Sequence, residues 1–318
     1  MKTITSRERD LIAAVVGEGR TALAEAVIEK DLLLTLVLHT ANEVEREGIG
    51  LVFCGGTCLA KAYGLIERMS EDIDFKLVVS RDLSRNARSK RLSQFKKQLA
   101  HALEGLGFVI PANEIIARDE NSYVSLNLHY ESRFPAVASL RTQIKLELNA
   151  RPPVLPTLAL TVNSILHTLI QEPASAPPID CISVDETLAE KVLSFLRRTA
   201  EARAGRNRAP YDDRLVRHLY DVRAISLTRS GLPLPVDHFA TLVAGDAAQY
   251  KNQYPEFQQD PVGQMRMVVD MLQDDYGTFE KDYLRFVDEL VFGEPVLFHE
   301  ARSGFLAIAQ PLLSALQR

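Results

Sequence analysis

Residues 51–79 constrain the fold more tightly than any other stretch of the chain. An apolar run, Leu51-Val52-Phe53, meets Gly55, Gly56 and Thr57; a helical segment follows, then Arg68, Ser70 and a short run carrying Asp72 and Asp74. The pattern predicts strand, glycine turn, helix and strand. Successive side chains of a strand point to opposite faces, so Asp72 and Asp74 share one face and Ile73 and Phe75 the other. Two carboxylates about 6 Å apart repel by roughly 3 kcal/mol at an effective dielectric near 20. A cation between them removes that cost. Mg²⁺ suits the position, because it prefers carboxylate oxygen and leaves coordination sites open for phosphate oxygens. The glycines allow positive φ and outward-facing N–H groups, and a helix amino-terminus just beyond them attracts phosphate. Thr57 could add a hydroxyl donor.

The full string runs Gly55-Gly56-Thr57-Cys58-Leu59-Ala60-Lys61, then Arg68-Met69-Ser70-Glu71-Asp72-Ile73-Asp74-Phe75. It closely resembles the AbiEii/AbiGii toxin family, nucleotidyltransferase-like toxins of abortive-infection and MenT-type toxin–antitoxin systems, within the polymerase-β-like nucleotidyltransferases. The segment VIEKDLLLTLVLHTANEV resembles that family's amino-terminal E-K-D-x-x-L-T-x-V-L element. The resemblance implies an α+β fold: a polymerase-β-like domain with a mixed sheet and flanking helices, then a mainly helical domain. It implies Mg²⁺-dependent transfer of NMP from an NTP, Mn²⁺ being a workable substitute, with pyrophosphate leaving. The acceptor would be RNA, in particular the tRNA 3′ end, and the effect a block of growth opposed by a cognate antitoxin.

By the same resemblance Asp72 and Asp74 hold metal, and a third carboxylate serves as metal ligand or base. Glu147, on the polar face of the alternating strand IKLELN, is the best candidate; the plain alternative is that Lys145 and Glu147 line a solvated face. Gly55, Gly56 and Thr57 would cradle phosphate. Lys61, Arg68 and Ser70 match the string and would contact the nucleotide, with a surface salt bridge as the competing reading of the first two. Lys61 and Arg68 lie seven apart, one helix face if the helix persists that far. In VDETLAEKVLSFLRR, Lys191 takes the place of a family lysine that contacts nucleotide phosphates; a solvated helix lysine is the alternative. In RHLYDVRAI, Asp221 matches the second acid of the (R/K)-D-x-x-D-(L/V) element, against a simple pairing with Arg217 or Arg223. His218 stands where the first acid belongs.

The rest of the chain supplies the frame. Its 318 residues allow one large or two medium domains, and 46% hydrophobic content supports a sizeable core. A net charge of −5 excludes a chain coated in positive charge but leaves room for a basic groove. Two runs are candidates for such a polyanion surface: Arg81, Arg85, Arg88, Lys90, Arg91, Lys96 and Lys97, and Arg197, Arg198, Arg203, Arg206 and Arg208. A solvated face is the ordinary reading of either. Cys54, Cys58 and Cys181 are too few for a disulfide framework, and no zinc-ligand spacing is present; the first two read as small apolar residues beside the turn. No 18-residue apolar run and no signal-peptide core occurs, so a cytoplasmic location is expected. No coiled-coil heptads appear, which makes a monomer the default.

Helical patterning covers 5–49, 80–107 and most of the chain from 184; strands are expected at 51–54, 72–79, 123–130 and 143–149, the last two as an antiparallel pair. The stretch 171–181 reads as a linker. The expected domains are a catalytic one at 1–165 and a helical one at 166–318 that completes the nucleotide cleft. Three rivals stand beside the leading reading: a nucleotidyltransferase that modifies protein, a catalytically weak module that binds nucleotide or RNA, and a phosphotransferase.

Overall fold

The computed structural model describes residues 1–80, 82–137, 140–207, 210–229, 231–274 and 277–317. The chain forms two compact units: Met1–Gly64 with Arg68–Ile182, and Leu65–Glu67 with Ser183–Arg318.

The first unit is built on a seven-stranded mixed sheet. Helices α1 (Ser6–Gly17) and α2 (Glu25–Glu43) precede β1 (Gly50–Cys54), α3 (Gly55–Lys61), β2 (Asp72–Val78) and α4 (Arg85–Gly105). The strands β3 (Ile116–Arg118), β4 (Tyr123–His129), β5 (Gln143–Asn149) and β6 (Leu158–Leu160) follow, then α5 (Ile165–Leu169) and β7 (Ile179–Cys181). Thr5 and Glu8 close a capping box at the start of α1, and the Ser84 hydroxyl accepts the Ala87 N–H to start α4. The sheet order is β3-β4-β5-β2-β1-β7-β6. β2 runs antiparallel to β1 and parallel to β5, while β4 and β5 form the expected antiparallel pair.

Alternation does the rest. Ile73, Phe75, Leu126, Leu128, Ile144, Leu146 and Leu148 point to one face and are buried. Each large apolar side chain so covered contributes about 1.5–3 kcal/mol. The opposite face of the same strands carries Asp72, Asp74, Lys145 and Glu147. Registration places Asp74 opposite Cys54 on one side and Glu147 on the other, with Asp72 opposite Lys145.

Two sequence expectations change here. The stretch 171–181, read as a linker, ends in β7, which pairs with β1 and β6 and draws the chain back into the sheet. The first unit therefore runs to Ile182 rather than 165. Strands of three residues are too short to show a period, and neighbours rather than local pattern create them. The three cysteines are free and buried. Burial pushes the Cys58 thiol well above its usual range, with Cys181 as hydrogen-bond neighbour.

The second unit is helical. Its helices are α6 (Val184–Arg203), α7 (Arg217–Thr228), α8 (Val236–Gln249), α9 (Pro255–Gln259), α10 (Pro261–Gln273), α11 (Thr278–Leu290) and α12 (Phe298–Ala315). Ser183 caps α6 by accepting the Glu186 N–H. Aromatic rings fill its core: Phe195 meets Phe305 edge-on at 5.0 Å and Tyr283 lies 5.5 Å from Phe298. Leu65–Glu67 belong to this unit because the Phe292 and Gly293 N–H groups donate to the Glu67 carbonyl. Among the described residues no helix is long and apolar enough to cross a membrane.

Candidate active site

The glycine turn is built around a carboxylate. Gly55 opens α3 at φ +79°, a conformation that side chains disfavour, and a Cβ there would collide with the Asp74 carboxylate. A Cβ on Gly56 would lie 2.7 Å from Arg68 Nη2 and 3.0 Å from Ser70 Oγ. Positive φ and close approach call for glycine at 55, and the two glycines together leave room for Asp74, Arg68 and Ser70 over the start of α3. Arg68 is buried, and its Nη1 donates to the Met69 carbonyl at 3.0 Å.

Across the sheet, Glu147 is the register partner of Asp74. It accepts from the Tyr123 hydroxyl at 2.6 Å and pairs with Lys145 Nζ at 2.5 Å. Burial pushes the Glu147 carboxyl up, but the Lys145, Tyr123 and Asp74 contacts outweigh it and hold the group below the usual carboxylate range. Burial and the Glu147 charge push the Tyr123 phenol far upward, so Tyr123 stays a donor. Asp72 Oδ1 accepts from Arg141 Nη1 at 2.8 Å. Asp72, Asp74 and Glu147 therefore lie on one face, each strand partner in register. Among the described residues no three His, Cys, Asp or Glu side chains form a ready metal cage. Arg141 and Lys145 engage two of the three carboxylates instead.

Two expected nucleotide contacts have other work. Thr57 is buried and its hydroxyl donates to the Asp72 carbonyl, so it fastens α3 to β2 rather than facing a phosphate. Lys61 is not on the surface either. Its side chain is only 6% exposed and pairs with Asp31 at 2.5 Å, donating also to Thr35 Oγ1 at 2.9 Å. The shared helix face of Lys61 and Arg68 is absent too, because α3 ends at Lys61.

Sequence reasoning missed the residues that brace this site. Glu29, Lys30 and Asp31 are consecutive on α2 and all buried. Glu29 accepts the Arg133 N–H and the Ser132 hydroxyl. Lys30 pairs with Glu71 at 2.5 Å, and Asp31 holds Lys61 and the Ile165 N–H. Burial lowers the Lys30 ammonium pKa, opposed by the Glu71 charge. The available signal was three successive charges inside the apolar run VIEKDLLL, an arrangement that burial makes costly unless each charge is paired. Arg141 and Tyr123 carried no comparable signal.

In the second unit Lys191 Nζ pairs with Asp221 Oδ2 at 2.6 Å, both buried. The reading of Lys191 as a solvated lysine fails, because its side chain is buried on Asp221. His218 lies buried beside them, and neither ring nitrogen has a hydrogen-bond partner among the described residues. Burial holds its pKa well below the usual value, and the nearby Lys191 and Arg217 charges add to this. A consequence follows for stability. An unfolded imidazole titrates near 6.5, so below that pH the unfolded chain takes up a proton that folded His218 refuses. The stability from this group is complete above about pH 6.5 and falls as pH drops below it, by up to about 1.4 kcal/mol per pH unit. His218→Gln should flatten that acid-side slope, read as Tm against pH; an unchanged slope would show that folded His218 titrates normally.

The arginine runs divide. Arg197 is buried, pairs with Glu201 and Asp246 at 2.9 Å, and stacks on Tyr250. Arg198 pairs with Asp212 and Arg206 with Glu256. Three members of the second run thus have carboxylate partners within their own unit, and of these only Arg197 is buried. On α4, Arg85 pairs with Glu120, Arg88 donates to the Ala150 carbonyl and Lys96 to Asn121. Arg81 and Arg208 lie outside the described residues.

The family profile "Nucleotidyl transferase AbiEii toxin, Type IV TA system" matches residues 40–307. Among solved structures, MenT4, a nucleotidyltransferase toxin from Mycobacterium tuberculosis H37Rv, shares the fold with a TM-score of 0.52 at 17% identity, over 96% of this chain and 93% of that one. No curated protein matches. With most of its length covered by the family profile, the chain belongs to the AbiEii nucleotidyltransferase toxin family of type IV toxin–antitoxin systems.

Proposed function

We propose that this nucleotidyltransferase moves NMP from an NTP to an RNA hydroxyl, the tRNA 3′ end being the acceptor, with Mg²⁺ or Mn²⁺ held by Asp72, Asp74 and Glu147. One observation carries the reading. Asp74 is seated over Gly55 and stands in register with Glu147, so two carboxylates lie side by side where a cation would serve both. Hard oxygen donors on one sheet face fit a divalent ion of this class. When bound, the metal would neutralise charge on the phosphates and lower the barrier to displacement.

The protein's own residues supply position and proton handling. The acceptor hydroxyl attacks the α-phosphorus, the bond to pyrophosphate breaks, and the hydroxyl proton passes to a carboxylate. Glu147, kept ionised by Lys145 and Tyr123, is the group placed to accept it. The Gly55–Gly56 turn, Arg68 and Ser70 would receive the triphosphate. Catalysis by positioning and electrostatics is the general pattern for such transfers. A cognate antitoxin and a cytoplasmic site of action belong to the same proposal.

Purified protein incubated with α-labelled NTPs, Mg²⁺ and total tRNA should yield labelled, RNase-sensitive tRNA together with pyrophosphate. Label that resists RNase would mark protein as the acceptor, and release of ADP would mark phosphotransfer. Either result overturns the RNA reading.

A further inference from the structure

Arg141 has a held backbone and a part-exposed head. Its backbone N–H donates to Glu71 Oε1 at 2.7 Å, and its carbonyl accepts from Lys30 Nζ at 2.9 Å. Lys30 and Glu71 are themselves a buried pair at 2.5 Å, with exposures of 0% and 5%. The main chain at 141 is therefore held by two buried charges on α2 and at the head of β2. The guanidinium is not buried; its side chain is 35% exposed, and it reaches Asp72 Oδ1 at 2.8 Å. Lys145, also 35% exposed, reaches Glu147 in the same way.

Each contact occupies one oxygen of a carboxylate placed to ligate a metal. A carboxylate oxygen that accepts from a guanidinium has less lone-pair density and less room for a cation, so the two occupants compete. The competition also has a purpose in the ligand-free chain. Three carboxylates on one sheet face repel one another, and a nearby positive charge offsets that repulsion. The buried anchoring of the backbone keeps the guanidinium within reach of Asp72 after it lets go, beside any phosphate brought in with the metal.

We propose that Arg141 is a built-in competitor for the divalent cation at Asp72, a latch that sets how readily the site loads. This inference rests on the reading of Asp72 as a metal carboxylate. It concerns loading, and so is measured by binding as well as by turnover.

The probe is Mn²⁺ alone, titrated into the full-length protein and followed by electron paramagnetic resonance. Arg141→Ala should bind Mn²⁺ more tightly than wild type by about two- to fivefold, the range expected for a partly exposed ion pair. The substitution leaves both backbone anchors in place. Arg141→Gln, which keeps side-chain length without charge, should shift the same way and carries the test if the alanine variant folds poorly. Arg133→Ala removes a charge elsewhere on the unit, whose Nε donates to Thr3, and should leave the affinity unchanged. Equal affinities for wild type and the Arg141 variants, with binding lost in Asp72→Ala, would overturn the latch and leave the metal reading standing. A tightening of the same size in Arg133→Ala would reduce the effect to net charge and also overturn the latch. Binding that ignores Asp72→Ala, or no binding by any variant, would overturn both.

Discussion

Asp74→Ala is expected to lower NMP transfer by at least about a thousandfold while leaving the protein folded. The magnitude follows from the role proposed for the group: carboxylates that place charge-neutralising metal on a phosphoryl centre are worth several kcal/mol of barrier, and each 1.4 kcal/mol is a factor of ten. The folding half follows from the contacts. Asp74 is only part-buried on β2, and its loss leaves Glu147 still satisfied by Lys145 and Tyr123. Substitution also empties the space that presses on Gly55, so no strain is added. The measurement is the rate of label transfer set beside a thermal melt. A variant that keeps a tenth or more of wild-type activity would remove the carboxylate cluster from catalysis. A variant that melts many degrees lower would assign Asp74 to structure.

Lys30→Met should be the most damaging single change to stability, by about 3–5 kcal/mol, because it leaves Glu71 charged and buried without its cation. Lys30 is fully buried and Glu71 nearly so, so solvent cannot take over the role. The first unit should melt lower by on the order of 10 °C. The double variant Lys30→Met/Glu71→Gln tests the cause. Glutamine still accepts the Arg141 N–H that Glu71 now accepts, while the stranded charge disappears, so most of the lost stability should return. Failure of the double variant to recover would mean that packing around Lys30, not charge, dominates. A single variant within about 1 kcal/mol of wild type would mean that water reaches Glu71.

Part of this site was legible before any coordinates. Strand alternation put Asp72 and Asp74 on one face, and the apolar alternation of 123–130 and 143–149 marked the pair that carries Glu147. The glycine string marked the turn. The errors share one cause. Thr57 and Lys61 match a nucleotide-binding string and are polar, yet both are turned inward, onto the Asp72 carbonyl and the Asp31 carboxylate. Polarity and spacing say that a side chain needs a partner and do not say which. The second arginine run shows the same limit, since Arg197, Arg198 and Arg206 found carboxylates within their own unit. β6 and β7 escaped notice because three residues are too few to carry a period.

The amino-acid order alone determined the elements that depend on near neighbours: which face of β2 bears the carboxylates, where two glycines free the backbone, and where the main helices run. Only the tertiary structure decided what stands opposite each charge. It set Glu147 beside Asp74, Arg141 on Asp72, Lys30 on Glu71 and Lys191 on Asp221. Backbone periodicity acts over a few residues, whereas pairing a buried charge is settled by whichever distant segment the packed core brings within about 3 Å.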